Sequence, residues 1–111
     1  MPNTFKVLGQ SAPGATTDTT LYTVPSATQV VVNTLTCCNR GTSSGTVRVA
    51  IRPNGATLAA EHYVVYDTTV AANNTLDVAK LVPPIDATDV VTVRASTADF
   101  SFTIGGCEIT P

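Results

Sequence analysis

Tryptophan is absent, and three phenylalanines and three tyrosines are the whole aromatic stock. A surface that stacks sugar rings therefore has only Tyr22, Tyr63 and Tyr66 to draw on, which counts against a glycan binder. Charge is scarce as well: 13% of residues, with a net charge of −2, leaves no basic footprint for a nucleic-acid backbone. No apolar run approaches the roughly 20 residues that a membrane-spanning helix needs. The opening "MPNTFKVLGQ" lacks a charged segment followed by an apolar one, so it does not read as a secretory leader. Three cysteines are an odd number, which with no such leader argues against a disulfide framework. The expectation is a soluble protein made in the cytosol.

What is present points to strands. About a fifth of the chain is threonine and valine is abundant; both are β-branched and suit a pleated, half-buried surface. With 111 residues there is material for one domain and one modest core. Turn signals recur: "APGATT", "VPSAT", "NRGTSSG", "RPNGA", "AANN", "VPPIDATD" and "ASTAD". Between them, strands are expected at about 5–10, 19–24, 29–38, 46–52, 61–67, 75–81, 89–95 and 99–109. The stretch "ATLAAEHYVV" permits a helical turn, but its flanks favour a loop entering a strand.

Alternation sorts the faces. Val47, Val49 and Ile51 oppose Arg48, Ala50 and Arg52. Val91, Val93 and Ala95 oppose Val90, Thr92 and Arg94. Phe100, Phe102 and Ile104 share one face. The expected fold is an all-β antiparallel sandwich of about eight strands, jelly-roll or immunoglobulin-like, with residues 1–111 as one domain. Val49, Ile51, Val91, Val93, Phe100, Phe102 and Ile104 should form its core. Residues 1–17 could include an extended N-terminal arm.

Little in the chain proposes chemistry. Cys37 and Cys38 are neighbours on a strand, so they point to opposite faces and cannot chelate one metal. Cys107 could approach either, a bridge requiring Cα atoms within about 7 Å. His62 is the one histidine, and Glu61 beside it would point away on a strand, leaving no nucleophile–base–acid arrangement. The aspartates are scattered at turns, which they stabilise by accepting backbone N–H bonds. Neither "GTSSG" nor "GGC" opens a helix, so neither cradles phosphate. No catalytic residue, metal site or cofactor is expected. "TLTCCNRGTSSGTVRVAIR" reads as a β-hairpin around a Gly/Ser turn. The residues singled out for a protein interface are Arg40, Arg48, Arg52, His62, Tyr63 and Arg94. The arginines would hold carboxylates of a partner. Tyr63 and Tyr66 should face opposite ways, one of them an interface anchor.

Four blocks carry a resemblance: "FKVLGQSAPGATTDTTLYTVP" (5–25), "CNRGTSSGTVRVAIRPNGA" (38–56), "HYVVYDTTVAANNTLDV" (62–78) and "DVVTVRASTADFSFTIGGCEI" (89–109). In this order they are similar to a family of small virion structural proteins of tailed bacteriophages, of the cyanophage type. The family pattern has an aliphatic residue where Cys37 stands, which suits a packing role. The resemblance implies a non-enzymatic capsid decoration, or cement, protein that binds the major capsid protein or another virion protein. It also implies a homotrimer, with no nucleic-acid or membrane partner, located in the virion after synthesis in the host cytoplasm. The alternative is a tail, collar or fibre component, in which glycan binding would be the task. A hydrolase on the same scaffold lacks its machinery.

Overall fold

The computed structural model describes residues 3–110. Eight strands follow one another: β1 (Asn3–Ser11), β2 (Thr19–Thr23), β3 (Gln29–Asn39), β4 (Gly45–Arg52), β5 (Tyr63–Val70), β6 (Thr75–Asp77), β7 (Val90–Ala95) and β8 (Phe100–Ile109). Of the boundaries that move, two have a side chain behind them. The Nδ1 of His62 accepts the Ala59 N–H at 3.1 Å. That winds Ala60–His62 into a 3-10 turn and delays β5 to Tyr63. Asp77 accepts the Ala79 N–H at 3.0 Å, so β6 stops at three residues and a 3-10 turn, Ala79–Leu81, follows.

The strands form two antiparallel sheets, ordered β1-β8-β3-β6 (sheet A) and β2-β7-β4-β5 (sheet B). The pairs 1–8, 2–7, 3–6 and 4–5 are nested, as in one long hairpin folded over on itself. This is the jelly-roll order, so the immunoglobulin-like option is eliminated.

The expected hairpin of 34–52 is not formed. β3 and β4 belong to different sheets, and the turn between them is a crossover. Asn39 explains why. Its side chain is buried and donates to the carbonyls of Ser43 (2.9 Å) and Val70 (3.1 Å), while its Oδ1 accepts the Gly41 N–H (2.9 Å). The chain is thereby arched from sheet A toward β5 of sheet B. A Cβ at Gly41 would stand 2.6 Å from an Asp99 carboxylate oxygen, so a larger residue there would need the Asp99 side chain to shift.

All seven expected core residues are buried, joined by Val24, Val30, Leu35, Cys37, Val47, Val65 and Val70. Phe100 and Phe102 stack at 6.4 Å between centroids as the core's largest side chains. β7 departs from simple alternation, because Val90 and Thr92 are buried too. The loop after β4 lies over that face. Asp89 accepts the Asn54 N–H at 2.9 Å, tying the 3-10 turn Pro53–Gly55 down. Residues 3–11, which include the strand expected at 5–10 and lie within the 1–17 segment considered as an arm, form the edge strand of sheet A, registered against β8 from Ile109 to Phe102. Met1 and Pro2 lie outside the described residues.

Candidate functional site

Two outward surfaces stand apart from ordinary sheet exteriors. The first is the outer face of sheet B. β4 and β7 pair without a register shift, which sets Arg48 directly opposite Arg94. Like charges in that relation repel, and each arginine is answered by a carboxylate. Arg48 makes a two-pronged bond to Asp67, Nε to Oδ1 at 2.7 Å and Nη2 to Oδ2 at 3.1 Å. Arg94 lies 3.7 Å from Asp18. Hydrogen bonding from Arg48 holds the Asp67 carboxyl below the usual carboxylate range, with the charges of Arg48 and Arg94 adding to it. Thr16, Thr46 and Ser96 complete a polar recess of about 190 Å³ around Arg48, Asp67 and Arg94.

Tyr66 belongs to the same face, and so does Tyr63, contrary to the alternation argument. The β4–β5 register slips twice, between Val47 and Val49 and between Val49 and Ala50. β5 carries the extra residues as bulges. One slip lets Tyr63 pair with Ala50 while Val65 pairs with Val49, so both tyrosines emerge outward. Their rings meet edge-to-face at 4.9 Å. The Arg48 guanidinium lies 4.2 Å over the Tyr66 ring, a cation–π contact. Asp67, in the left-handed region at φ 53°, occupies the second irregularity and turns its carboxylate to Arg48. Beside the pair, Leu58, Ala59, Ala60, Tyr63 and Tyr66 line an open recess of about 580 Å³.

The other singled-out residues go elsewhere. Arg40 leaves the group: it sits at the end of sheet A, bonded to the Ser101 hydroxyl (2.7 Å) and the Ala98 carbonyl (3.2 Å). Arg52 is on the Arg48 face but turns to its own loop, reaching the Gly55 carbonyl at 3.4 Å. Its Nε and the Thr92 hydroxyl are buried without a hydrogen-bond partner. His62 is held in its turn through Nδ1, which accepts the Ala59 N–H.

The second surface is the outer face of sheet A along its open edge. Phe5, Cys107 and Val31 form one row across β1, β8 and β3, and Val7 is two residues on from Phe5. Phe5 is 72% exposed, Val7 60% and Val31 44%. Two of the three phenylalanines are fully buried, and the third is spent on solvent. Sequence alternation gives no warning of this, because Lys6 would be expected outward and Phe5 inward. The register slip between Val7 and Gly9 reverses that choice and sets Lys6 beside Glu108. Glu108 accepts the hydroxyl of Tyr22, which reaches across from sheet B, and pairs with Lys6 at 3.0 Å. The Tyr22 hydrogen bond, and then Lys6, lower the Glu108 pKa. Burial first, and then Glu108, raise that of Tyr22.

The cysteines separate as expected. Cys37 is fully buried, and burial, helped by the charge of Asp77, pushes its thiol up to about 12. Cys38 is half-exposed on the other face. Cys107 pairs with Val31, whereas Cys37 and Cys38 pair with Phe102 and Ser101. Five or six strand residues, about 16–20 Å, separate it from them, beyond any bridge. Among the described residues no group of three His, Cys, Asp or Glu side chains assembles. No family model, curated protein or solved structure matches the chain.

Proposed function

We propose that this chain is a virion structural protein of the tailed-phage kind it resembles, and that it works as a capsid decoration protein. One observation carries the reading: Phe5, Val7 and Val31 are exposed beside the unpaired edge of a nine-residue strand. An open edge offers a row of N–H and C=O groups to another chain, and native proteins usually blunt such edges with charge, proline or a cover. Of the nine residues in β1 only Lys6 is charged, and it is turned to Glu108; the one irregularity is a register slip between Val7 and Gly9, beyond Phe5. A strand of the major capsid protein adding to β1 would satisfy the edge, while Phe5 and Val7 supply apolar area. Many copies share the load, so each contact can be modest in area. The local threefold axes of a capsid favour a trimer of the decoration protein on the lattice. The jelly roll is a frequent architecture of virion proteins, which is support by analogy alone.

The test adds purified protein to expanded, undecorated capsids. Saturable binding at hundreds of copies and a raised capsid melting temperature are expected. Phe5→Glu should abolish binding while leaving the protein's own stability within about 0.5 kcal/mol, because the ring is exposed. Binding to host cells with none to capsids would overturn the reading in favour of a tail or fibre role.

A further inference from the structure

We infer that the tyrosine recess on sheet B is a binding site for a neutral saccharide: the aromatic stock is small, but the slips in β5 gather two of its three tyrosines on one face. The site is read from sheet B alone and does not rest on capsid docking through sheet A. Its volume, about 580 Å³, falls within the range of small-ligand pockets. Its lining joins an apolar wall, Leu58, Ala59 and Ala60, to two tyrosines held at right angles. A pyranose ring has the matching character: a face of C–H bonds that packs on an aromatic surface, and a rim of hydroxyls.

The polar groups at the margin select against ions. Arg48 is neutralised by Asp67 and Arg94 by Asp18. An anionic ligand would meet two carboxylates and a cationic one two guanidiniums. A hydroxyl both donates and accepts, so it can give its proton to Asp67 while accepting from a guanidinium. The Arg48–Asp67 pair offers such an arrangement, with the Arg48 guanidinium 4.2 Å over the ring of Tyr66.

Preorganisation supports the assignment. Tyr66 keeps 57% of its surface exposed yet is held by Tyr63 on one side and Arg48 on another. The wall is fixed too, because His62 accepts the Ala59 N–H. Rigid aromatic surface and a fixed hydrogen-bonding pair lower the ordering cost of binding.

The experiment titrates the full chain, labelled with nitrogen-15, against neutral trisaccharides of glucose, galactose, mannose and N-acetylglucosamine. Galacturonic acid trimers and inorganic sulfate serve as charged probes. Millimolar or tighter binding of at least one neutral trisaccharide is expected, with shifts confined to residues 58–67 and Arg48. Tyr66→Ala should weaken it roughly three- to tenfold, the size of a lost aromatic contact. Tyr63→Ala, read by the same titration, serves if the first variant is poorly folded. No binding by any neutral probe, tighter binding of the charged ones, or shifts mapping to sheet A would each overturn the proposal. None of these results bears on capsid binding, which is read from Phe5→Glu.

Discussion

Asn39 should be the most expensive polar side chain to remove. It makes three buried hydrogen bonds that join the end of β3, the crossover turn and the end of β5. At about 1 kcal/mol each, Asn39→Ala should cost about 3 kcal/mol. Such a loss is a large share of the 5–15 kcal/mol typical of a domain, and corresponds to a melting decrease of roughly 10–15 °C. Asn39→Asp is the sharper perturbation. Its carboxylate could still accept from Gly41, but it would face the Ser43 and Val70 carbonyls with no donor. At neutral pH it should be less stable than Asn39→Ala. Protonation restores one donor, so the folded-state pKa of this aspartate must lie above its unfolded value of about 3.9. Its penalty is then small below that value and grows as pH rises through the folded pKa. This variant should therefore gain stability, relative to the parent, between pH 7 and 4. Urea unfolding, with equal slopes and shifted midpoints, is the assay. A cost below about 1 kcal/mol for Asn39→Ala, or an aspartate variant more stable than the alanine one at pH 7, would refute the reasoning.

Other outcomes follow from buried groups. Tyr22→Phe should cost about 1–2 kcal/mol at pH 7, since it strips a hydrogen bond from a carboxylate. The parent's Glu108 contribution is present above the unfolded carboxyl pKa and lost as pH falls through the lowered folded value. Tyr22→Phe should thus flatten the acid limb of a stability–pH profile. Because the Tyr22 pKa is raised, its own contribution holds below the unfolded tyrosine value and disappears as pH climbs beyond it; Tyr22→Phe should remove that alkaline loss. Thr92→Val deletes a buried hydroxyl without a partner and keeps the volume, so the urea midpoint should rise or stay level, never fall. A chromogenic thiol reagent should modify one cysteine in the native protein, Cys38, and all three in denaturant, because Cys37 and Cys107 are buried. Prompt native labelling of Cys37 would contradict its place in the core.

Strand positions and the core were legible because period-two alternation is a local signal, and β4 and β8 follow it over most of their length. Tyr63 and Tyr66 were not, because parity arguments fail wherever a strand bulges. Nothing in "YVVYDTTV" marks the slip, although an aspartate followed by two threonines is an admissible place for a residue at positive φ. The false hairpin at 34–52 has a different cause. "CNRGTSSG" is good turn chemistry, but turn chemistry cannot say whether the next strand joins the same sheet. Asn39 decides that by bonding to Val70, a residue 31 positions away. The Arg48–Arg94 opposition depends on strand order, which no local pattern encodes. The exposure of Phe5 was not legible either, because it follows from the register slip between Val7 and Gly9 and from Glu108, distant in sequence, pairing with Lys6. The surface candidates, then, needed the register of whole strands.

The four sheet edges are unequal in a way that sets stoichiometry. β6 is three residues long and β2 five, and β5 is broken by two bulges. β1, nine residues with one slip between Val7 and Gly9, offers the longest edge among the described residues. In a polymer chemist's terms the molecule is monofunctional for strand addition. A copy that has joined its edge to anything, a second copy included, has no equivalent edge left to present. Edge pairing is therefore a terminating step, able to coat a surface at one link per molecule and unable to propagate into a fibre.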